Sequence, residues 1–278
     1  MEERILNHAR VLELLPDRDP WAHKGNFGRI LLLCGSRGYT GAAALAALGS
    51  LRCGGGLVYL GVPETIYAIE AVKLTEAIVF PLPDSQGALS IQASQEILEL
   101  LSNMDAVLVG PGWGQSEGTA EALETVIEHF NGPLVVDADG INLLARHKDL
   151  LRRRQGVTVL TPHPGEFARL APEYQRAPKE FAAEYGCVLV LKGHETLITD
   201  GDCSYRNTTG NPGMAVGGSG DVLAGMITAL LGQGLIPLEA AAVGAWLHGA
   251  AGDLTAQRMG QYAMLPTDLL EDLPRLLK

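Results

Sequence analysis

The feature that most constrains the fold of this chain is a regular alternation of short apolar runs with longer helix-like stretches. The runs are continuous and rich in Val, Leu and Ile, which is typical of parallel strands buried on both faces of a sheet. They predict strands at residues 30–34, 57–60, 77–80, 106–109, 134–136, 158–160 and 188–191.

The intervening stretches predict helices at residues 41–52, 92–101, 118–130, 164–170, 179–185, 220–231, 238–256 and 266–277. Strands that alternate with helices form parallel sheets, because each helix carries the chain back across one face. We therefore expect an α/β fold with a mostly parallel, doubly wound sheet and helices on both faces. Alanines concentrate in the helix at 238–256, which favours close packing inside the chain over a subunit interface.

A different pattern follows the strand at 188–191. Two short runs at 197–200 and 203–206 flank Gly201 and Asp202, which predicts a β-hairpin. No polar or Pro-rich linker and no internal repeat divides the chain, and 278 residues are within the range of one large domain. We therefore expect residues 1–278 to form a single domain, with no room for a second one.

Composition and charge exclude several classes of protein. The net charge of −11 argues against a nucleic-acid surface, which needs clustered basic side chains. No apolar run is long enough to span a membrane, and the N-terminal sequence lacks the apolar core of a signal peptide. The four cysteines form no Cys-x-x-Cys pair and indicate buried thiols in a reducing compartment. We therefore expect a cytoplasmic protein that binds neither nucleic acid nor membrane.

The strongest local signal is residues 217–221, Gly-Gly-Ser-Gly-Asp, which lead directly into an apolar helix. A glycine-rich loop at a helix start can turn successive N–H groups towards one point, and the helix dipole adds positive potential there. We therefore expect the N–H groups of Gly218, Ser219 and Gly220 to form an anion hole for a transferring phosphoryl group.

Asp221 lies in the first turn of the same helix, where the dipole stabilises a carboxylate. We expect it to be ionised at neutral pH and to accept a proton from an alcohol held beside the anion hole. Alternatively, Asp221 only complements the helix start, which is a common place for Asp. The glycine-rich loop before it favours catalysis.

This loop resembles the Gly-x-Gly-Asp anion hole of the ribokinase-like superfamily, in which the aspartate activates a substrate hydroxyl for attack on a nucleotide phosphate. Residues 161–166, Thr-Pro-His-Pro-Gly-Glu, follow a predicted strand and place His163 at its carboxyl end, where open α/β sheets bind ligands. Related pyrimidine and pyridoxal kinases have a Thr-Pro-Asn version. The form found here is similar to that of the NAD(P)H-hydrate dehydratase family.

Further segments carry the same resemblance. Residues 192–196, Lys-Gly-His-Glu-Thr, match the stretch along which that family places its adenine nucleotide, and residues 110–114, Gly-Pro-Gly-Trp-Gly, match its dinucleotide loop. Near the N-terminus, residues 24–28 and the helix start near Ala43 match the family's Lys-Gly-x-x-Gly and Gly-Ala-Ala elements. The matched motifs extend from about Lys24 to Asp268.

The resemblance implies a role for each matched residue. It implies that the hydrated dinucleotide contacts Ala43, Gly112, Gly114, His163 and Asp221. It implies that the nucleotide donor contacts Lys192, Gly193, His194, Glu195, Thr196 and Gly220. Asp137 and Asp139 match an Asp-Ala-Asp segment that either helps to hold Mg²⁺, directly or through water, or forms a solvated turn. No residue is assigned as a direct metal ligand.

The function implied by the resemblance is ADP- or ATP-dependent dehydration of NADH and NADPH hydrated at the nicotinamide ring. It also implies Mg²⁺ as cofactor and a homo-oligomer, a tetramer in the family. The residues themselves leave two rivals open. One is a kinase of a small vitamin-like alcohol, which would use the same base and anion hole. The other is a nucleotide-binding sensor without catalysis.

Overall fold

The computed structural model describes residues 3–278, and their strands form one large sheet and one small hairpin. The strands are β1 (Arg29–Leu33), β2 (Leu57–Pro63), β3 (Ile78–Leu82), β4 (Asp84–Ser85), β5 (Ala88–Leu89), β6 (Ala106–Val109), β7 (Leu134–Val136), β8 (Thr158–Leu160), β9 (Val188–Leu191), β10 (Thr196–Thr199) and β11 (Ser204–Asn207). The large sheet has the order β11-β10-β9-β8-β7-β6-β1-β2-β3, and β4 pairs only with β5.

The strands from β9 to β3 in that order are parallel, while β10 and β11 are antiparallel to their neighbours. The helices are α1 (His8–Leu14), α2 (Thr40–Arg52), α3 (Glu64–Lys73), α4 (Ala93–Leu101), α5 (Glu117–His129), α6 (Asp139–Leu144), α7 (Leu150–Arg153), α8 (Pro164–Leu170), α9 (Pro178–Tyr185), α10 (Ser219–Gly232), α11 (Pro237–Met259) and α12 (Pro266–Asp272). Within residues 3–278, none of them combines the length and hydropathy of a membrane span.

A separate hydrophobic core covers each face of the sheet, because side chains along a strand point alternately to opposite faces. Ile30 and Leu32 of β1 join one core with residues of α2, α10, α11 and α12. Leu31 and Leu33 join the other core with residues of α4, α5, α8 and α9. The predicted α/β fold with helices on both faces of a mostly parallel sheet is therefore confirmed. The division of the full chain into domains stays a prediction.

Two glycines bring α2 and α10 unusually close together. A Cβ on Gly49 would lie 2.5 Å from the Val222 carbonyl oxygen, and one on Gly225 would lie 2.1 Å from the Ala46 carbonyl oxygen. Ser50 Oγ adds a hydrogen bond to the Gly225 carbonyl at 2.8 Å. This contact fixes the position of α10, whose first turn carries Asp221.

Six of the seven alanines of α11 are buried within the chain, as predicted from their concentration there. Cys34, Cys53 and Cys187 are also buried, and all four cysteines are free thiols.

Several predicted elements were wrong or missing. The helix predicted at 266–277 ends at Asp272, because Pro274 lacks an amide donor and clashes with the preceding turn. The predicted β-hairpin is confirmed as β10 and β11, but its turn has four residues, since Thr199 pairs with Ser204 and the Asp200 carboxylate accepts the N–H groups of residues 202 and 203. The strand at 77–80 shifts to Ile78–Leu82 and includes a proline, which an edge strand tolerates.

Four helices, α1, α3, α6 and α7, were not predicted, for two reasons. In α3, Ile66 is the one fully buried apolar side chain, whereas Tyr67, Ile69 and Val72 are exposed, so no helical periodicity appears in the sequence. The helices α6 and α7 have six and four residues, which is too short for a periodic pattern, and α1 buries only Val11.

Candidate active site

The loops that carry the sequence motifs lie together at the edge of the sheet formed by the carboxyl ends of the strands, because the strands that precede them are parallel. The strands β1, β6, β7, β8 and β9 are neighbours in the sheet, and their carboxyl ends share this edge. The chain reverses its direction of winding between β1 and β6, where α/β sheets bind ligands. Here the Gly35 N–H donates to the Pro111 carbonyl at 2.8 Å, and Ser36 Oγ donates to the Gly112 carbonyl at 2.7 Å.

One matched segment does not join this edge. Residues 24–28 precede β1, so they lie at the opposite end of the sheet. There a Cβ on Gly28 would lie 2.3 Å from the carbonyl oxygen of Gly232, the last residue of α10. Their contacts are structural, and they support the base of the sheet rather than the site.

The loop before α10 presents unpaired N–H groups. Gly218 has a φ of 96°, in the left-handed region that favours glycine, and it caps α10 without a side-chain hydrogen bond. Within residues 3–278, the N–H groups of residues 217, 218, 220 and 221 have no acceptor. The Ser219 N–H already donates to the Val216 carbonyl at 3.4 Å. The geometry therefore favours Gly218 and Gly220 over Ser219 as donors of an anion hole.

Asp221 stands in the first turn of α10, beside these N–H groups. Burial raises the pKa of its carboxyl group from 3.8 to about 7, and the negative charge of Asp137 adds to this effect, while Lys192 opposes it. We expected Asp221 to be ionised at neutral pH, but with a pKa of about 7 its carboxyl group is only partly ionised there. A carboxyl group of this pKa is well matched to proton transfer near neutral pH.

Lys192 connects two strand ends at the centre of the site. It follows β9, and its Nζ lies 2.8 Å from Oδ1 of Asp137, which follows β7 and is 1% exposed. The same Nζ lies 3.2 Å from the position that a Cβ on Gly220 would occupy. Burial lowers the pKa of Lys192, but the charges of Asp137 and Glu166 more than compensate, so its pKa lies above the ordinary value. Lys192 is therefore a cation directly under the anion hole.

Asp137 and Asp139 have separate surroundings. Asp137 is buried in the ion pair with Lys192, so it does not belong to a solvated turn. The Asp139 carboxylate accepts the Gly114 N–H at 2.8 Å and thereby joins the loops after β6 and β7. Within residues 3–278, no group of three or more His, Cys, Asp or Glu side chains is arranged to hold a metal ion.

His163 caps α8 and leaves part of its ring exposed. Its ring Nδ1 accepts the backbone N–H groups of Gly165 at 3.0 Å and Glu166 at 3.3 Å. The backbone N–H of His163 donates to Glu166 Oε2 at 2.8 Å. The side chain is 53% exposed, whereas that of Glu166 is 8% exposed. Because Nδ1 serves the cap, Nε2 is the ring nitrogen left for a ligand, and it lies 3.5 Å from Glu166 Oε1.

Residues 193–196 form a tight turn between β9 and β10. The Gly193 N–H donates to Thr196 Oγ1 at 3.2 Å, and Thr196 Oγ1 donates back to the Gly193 carbonyl at 3.1 Å. Glu195 has a φ of 58°, and its carbonyl accepts Arg206 Nη1 at 3.4 Å. Gly193 and His194 are exposed. The turn therefore offers an accessible backbone next to Lys192.

The residues matched to the dinucleotide lie on the other side of the site. Gly112 and Gly114 have φ values of 65° and 71°, and Gly112 packs against Tyr39 and Ala42 at the start of α2. Ala43 is fully buried, so its side chain presents no surface. Their roles in binding stay predictions.

Reasoning from the sequence missed three residues that shape this site. Glu166 is a charged neighbour of Asp221 and Lys192, and it belonged to a motif that was recognised for His163. His248 and Asp253 of α11 contact Ser219 and the loop before it. The sequence feature that could have indicated them is that both are polar residues within a helix otherwise rich in Ala and Gly.

Solved structures first define the class of fold. A ribokinase-like superfamily protein from Enterococcus faecalis has a TM-score of 0.85 and 28% identity, covering 99% of this chain and 95% of its own. The ADP/ATP-dependent NAD(P)H-hydrate dehydratase from Bacillus subtilis, co-crystallised with ATP and Mg²⁺, has a TM-score of 0.84 and 32% identity, covering 99% and 98%. The fold is ribokinase-like.

The NAD(P)H-hydrate dehydratase family model matches residues 30–275, and the chain belongs to that family. The bifunctional NAD(P)H-hydrate repair enzyme of Moorella thermoacetica is 46% identical over 99% of this chain and 54% of its own length. That of Escherichia coli is 38% identical over 95% and 52%. The chain spans about half the length of these curated relatives.

Proposed function

We propose that this chain dehydrates the S form of hydrated NADH and NADPH, using ADP or ATP as phosphoryl donor and releasing AMP or ADP with phosphate. The observation that carries the proposal is the placement of Asp221 beside four unpaired N–H groups and the Lys192 cation. Such a site can accept a hydroxyl proton and stabilise a transferring phosphoryl group at the same time.

The chemistry follows from the leaving group. Hydroxide leaves the nicotinamide ring poorly, whereas phosphate leaves well. Asp221 takes the proton of the ring hydroxyl as the oxygen attacks the terminal phosphorus of the donor, and AMP or ADP departs. The N–H groups of Gly218 and Gly220 and the ammonium group of Lys192 stabilise the charge on the moving phosphoryl group. Departure of phosphate, with loss of a proton from the neighbouring ring carbon to solvent, then forms the ring double bond and restores the reduced nicotinamide.

The residues present fit a magnesium ion that arrives on the donor phosphates. Mg²⁺ is usually held by one or two carboxylates together with phosphates and water. Asp137 Oδ1 is occupied by Lys192, but Oδ2 has no hydrogen-bond donor in the described residues and lies 3.8 Å from the Cβ position of Gly220. Asp137 would therefore hold the ion, directly or through water, and the ion would neutralise charge on the phosphates.

We place the donor along residues 192–196 and the hydrated dinucleotide along Ala43, Gly112, Gly114 and His163. The exposed backbone of Gly193 and His194 supports the first assignment, and the exposed ring of His163 supports the second. We assign the protein to the cytoplasm, where reduced nicotinamide nucleotides and ADP occur. We also propose a homo-oligomer, a tetramer as the family resemblance implies.

The reaction should couple the three products in equal amounts. Hydrated NADH incubated with the protein, ADP and Mg²⁺ should give one AMP and one phosphate for each NADH recovered, because one phosphoryl transfer precedes each elimination. Absorbance of reduced nicotinamide, phosphate release and nucleotide chromatography on the same sample measure the ratio.

The same assay separates the rival functions. A kinase of a stable alcohol would leave phosphate on its product, so nucleotide would be consumed without phosphate release. NADH recovery at an unchanged rate without any nucleotide would overturn the mechanism. A parallel series with ATP identifies the preferred donor.

His163 and Thr196 should serve different ligands, because they follow different strands. His163→Asn keeps a side-chain acceptor for the α8 cap but removes Nε2, so we expect KM for the hydrated dinucleotide to rise with little change in ADP affinity. Thr196→Val keeps the shape but removes Oγ1, so ADP affinity should fall instead. Calorimetric titration with ADP and a KM measurement on both variants test this. One shared pattern for both variants would refute the assignment.

A further inference from the structure

The loop that forms the anion hole lies along one face of α11. Residues 207–219, defined here as the catalytic loop, contact this helix at several consecutive turns. Asn207 Nδ2 donates to the Ala245 carbonyl at 3.1 Å, and Thr209 Oγ1 donates to the Trp246 carbonyl at 3.0 Å. The contact therefore begins where β11 ends and continues towards α10.

Asp253 binds the middle of the catalytic loop with both carboxylate oxygens. Oδ2 accepts the Gly210 N–H, and Oδ1 accepts Asn211 Nδ2, each at 2.9 Å. Asn211 in turn accepts the Gly213 N–H through Oδ1 at 3.0 Å. A single side chain of α11 thus orients the turn that precedes the unpaired N–H groups.

Two glycines of α11 face the catalytic loop, Gly249 its backbone and Gly252 only a side chain. A Cβ on Gly249 would lie 2.6 Å from the carbonyl carbon and oxygen of Thr209, so the loop backbone would have to move. A Cβ on Gly252 would instead meet the end of the flexible Met214 side chain, at 2.3 Å from its sulfur. The two glycines therefore differ in what a methyl group would displace.

His248 contacts the last residue of the catalytic loop. Its Nε2 lies 3.3 Å from Ser219 Oγ, and the ring is buried. Burial lowers the pKa of His248 to about 4, so the ring is neutral at physiological pH. A neutral ring can fix the Ser219 hydroxyl through a hydrogen bond without adding charge behind the anion hole.

We propose that the face of α11 formed by His248, Gly249 and Asp253 is a positioning device for the catalytic loop. It holds the loop so that the N–H groups of residues 217, 218, 220 and 221 stay free and converge. These residues do not touch the reacting atoms. Their effect on phosphoryl transfer rests on the function proposed above, whereas their effect on loop order does not.

The matched pair Gly249→Ala and Gly252→Ala tests the proposal, because both add one methyl group to the same helix. Displacement of the loop backbone in the first variant should lower kcat at least about tenfold, with KM for ADP changed less than about threefold. The second variant should keep kcat within about threefold of the parent. Equal kcat values in both variants would overturn the proposal.

A second pair tests the histidine. His248→Leu removes the hydrogen bond to Ser219 and should lower kcat, whereas His248→Gln keeps a polar atom near Nε2 and should restore most of it. Thr255→Val is the control, since it breaks a buried hydrogen bond from α11 to Asp272, away from the loop. It should lower Tm and leave kcat unchanged. Failure of His248→Gln to exceed His248→Leu in kcat would contradict the role of His248.

Hydrogen–deuterium exchange separates this inference from the proposed function. Amides of residues 208–219 should exchange faster in Gly249→Ala than in the parent, and Gly252→Ala and Thr255→Val should match the parent. If the parent shows no NADH recovery, the proposed function fails, and exchange alone decides whether α11 orders the loop. Equal exchange in all four proteins would reject the proposal.

Discussion

Asp221→Asn should lower turnover by about 10²–10⁴, the usual effect of removing a positioned general base. The amide nearly preserves the shape of the side chain but cannot take the hydroxyl proton as a carboxylate does. The change also removes a negative charge near the donor phosphates, so ADP affinity should hold or rise slightly. Turnover within a few-fold of the parent would exclude Asp221 as the base.

The stability of this variant should change in a direction that the sequence did not predict. From its position at a helix start, loss of the carboxylate would destabilise the fold by roughly 0.3–1 kcal/mol. In the structure, burial raises the pKa of Asp221 from 3.8 to about 7. A raised pKa favours folding at low pH, and this contribution is lost as pH rises from about 4 to about 7. The variant should therefore melt at a higher temperature than the parent at pH 8.

Melting curves of both proteins at pH 4 and pH 8 test whether the variant is the more stable one at high pH. The advantage of Asp221→Asn should disappear towards pH 4, where the parent carboxyl group is protonated. The pH profile of kcat/KM gives an independent measure, since activity should be lost as pH falls through about 7. An acid limb near pH 4 would show that Asp221 titrates like an exposed carboxylate.

Lys192→Met should impair both stability and turnover. The variant leaves the buried Asp137 carboxylate without its partner, and breaking a buried ion pair typically destabilises a protein by about 3–5 kcal/mol. We expect about 3 kcal/mol, because the Lys192 side chain keeps 21% exposure. Removal of a cation from the anion hole should lower kcat by about 10²-fold or more.

The double variant Lys192→Met with Asp137→Asn separates these two effects. It removes both charges and keeps both shapes, so urea denaturation should show most of the stability restored. Turnover should stay low, since neither the cation nor the Asp137 carboxylate remains. Recovery of turnover together with stability would show that Lys192 serves only to neutralise Asp137.

Much of this site could be predicted from the sequence because its parts are local. Apolar runs identified the strands, glycines identified the loop before α10, and the parallel sheet implied that the loops after β6, β7, β8 and β9 share one edge. The short helices and α3 could not be predicted, since they bury too few apolar residues to show a period.

By itself, the sequence determined the α/β fold and placed an aspartate after a glycine-rich loop at a helix start. Only the tertiary structure decided the pKa of that aspartate. Asp137 and Lys192 are 55 residues apart in the chain and meet in a buried pair, and both act on the pKa of Asp221. The hydrophobic and glycine patterns that predict strands, helices and loops involve residues that are neighbours along the chain. A pKa instead depends on burial and on charges that distant strands bring within a few ångströms.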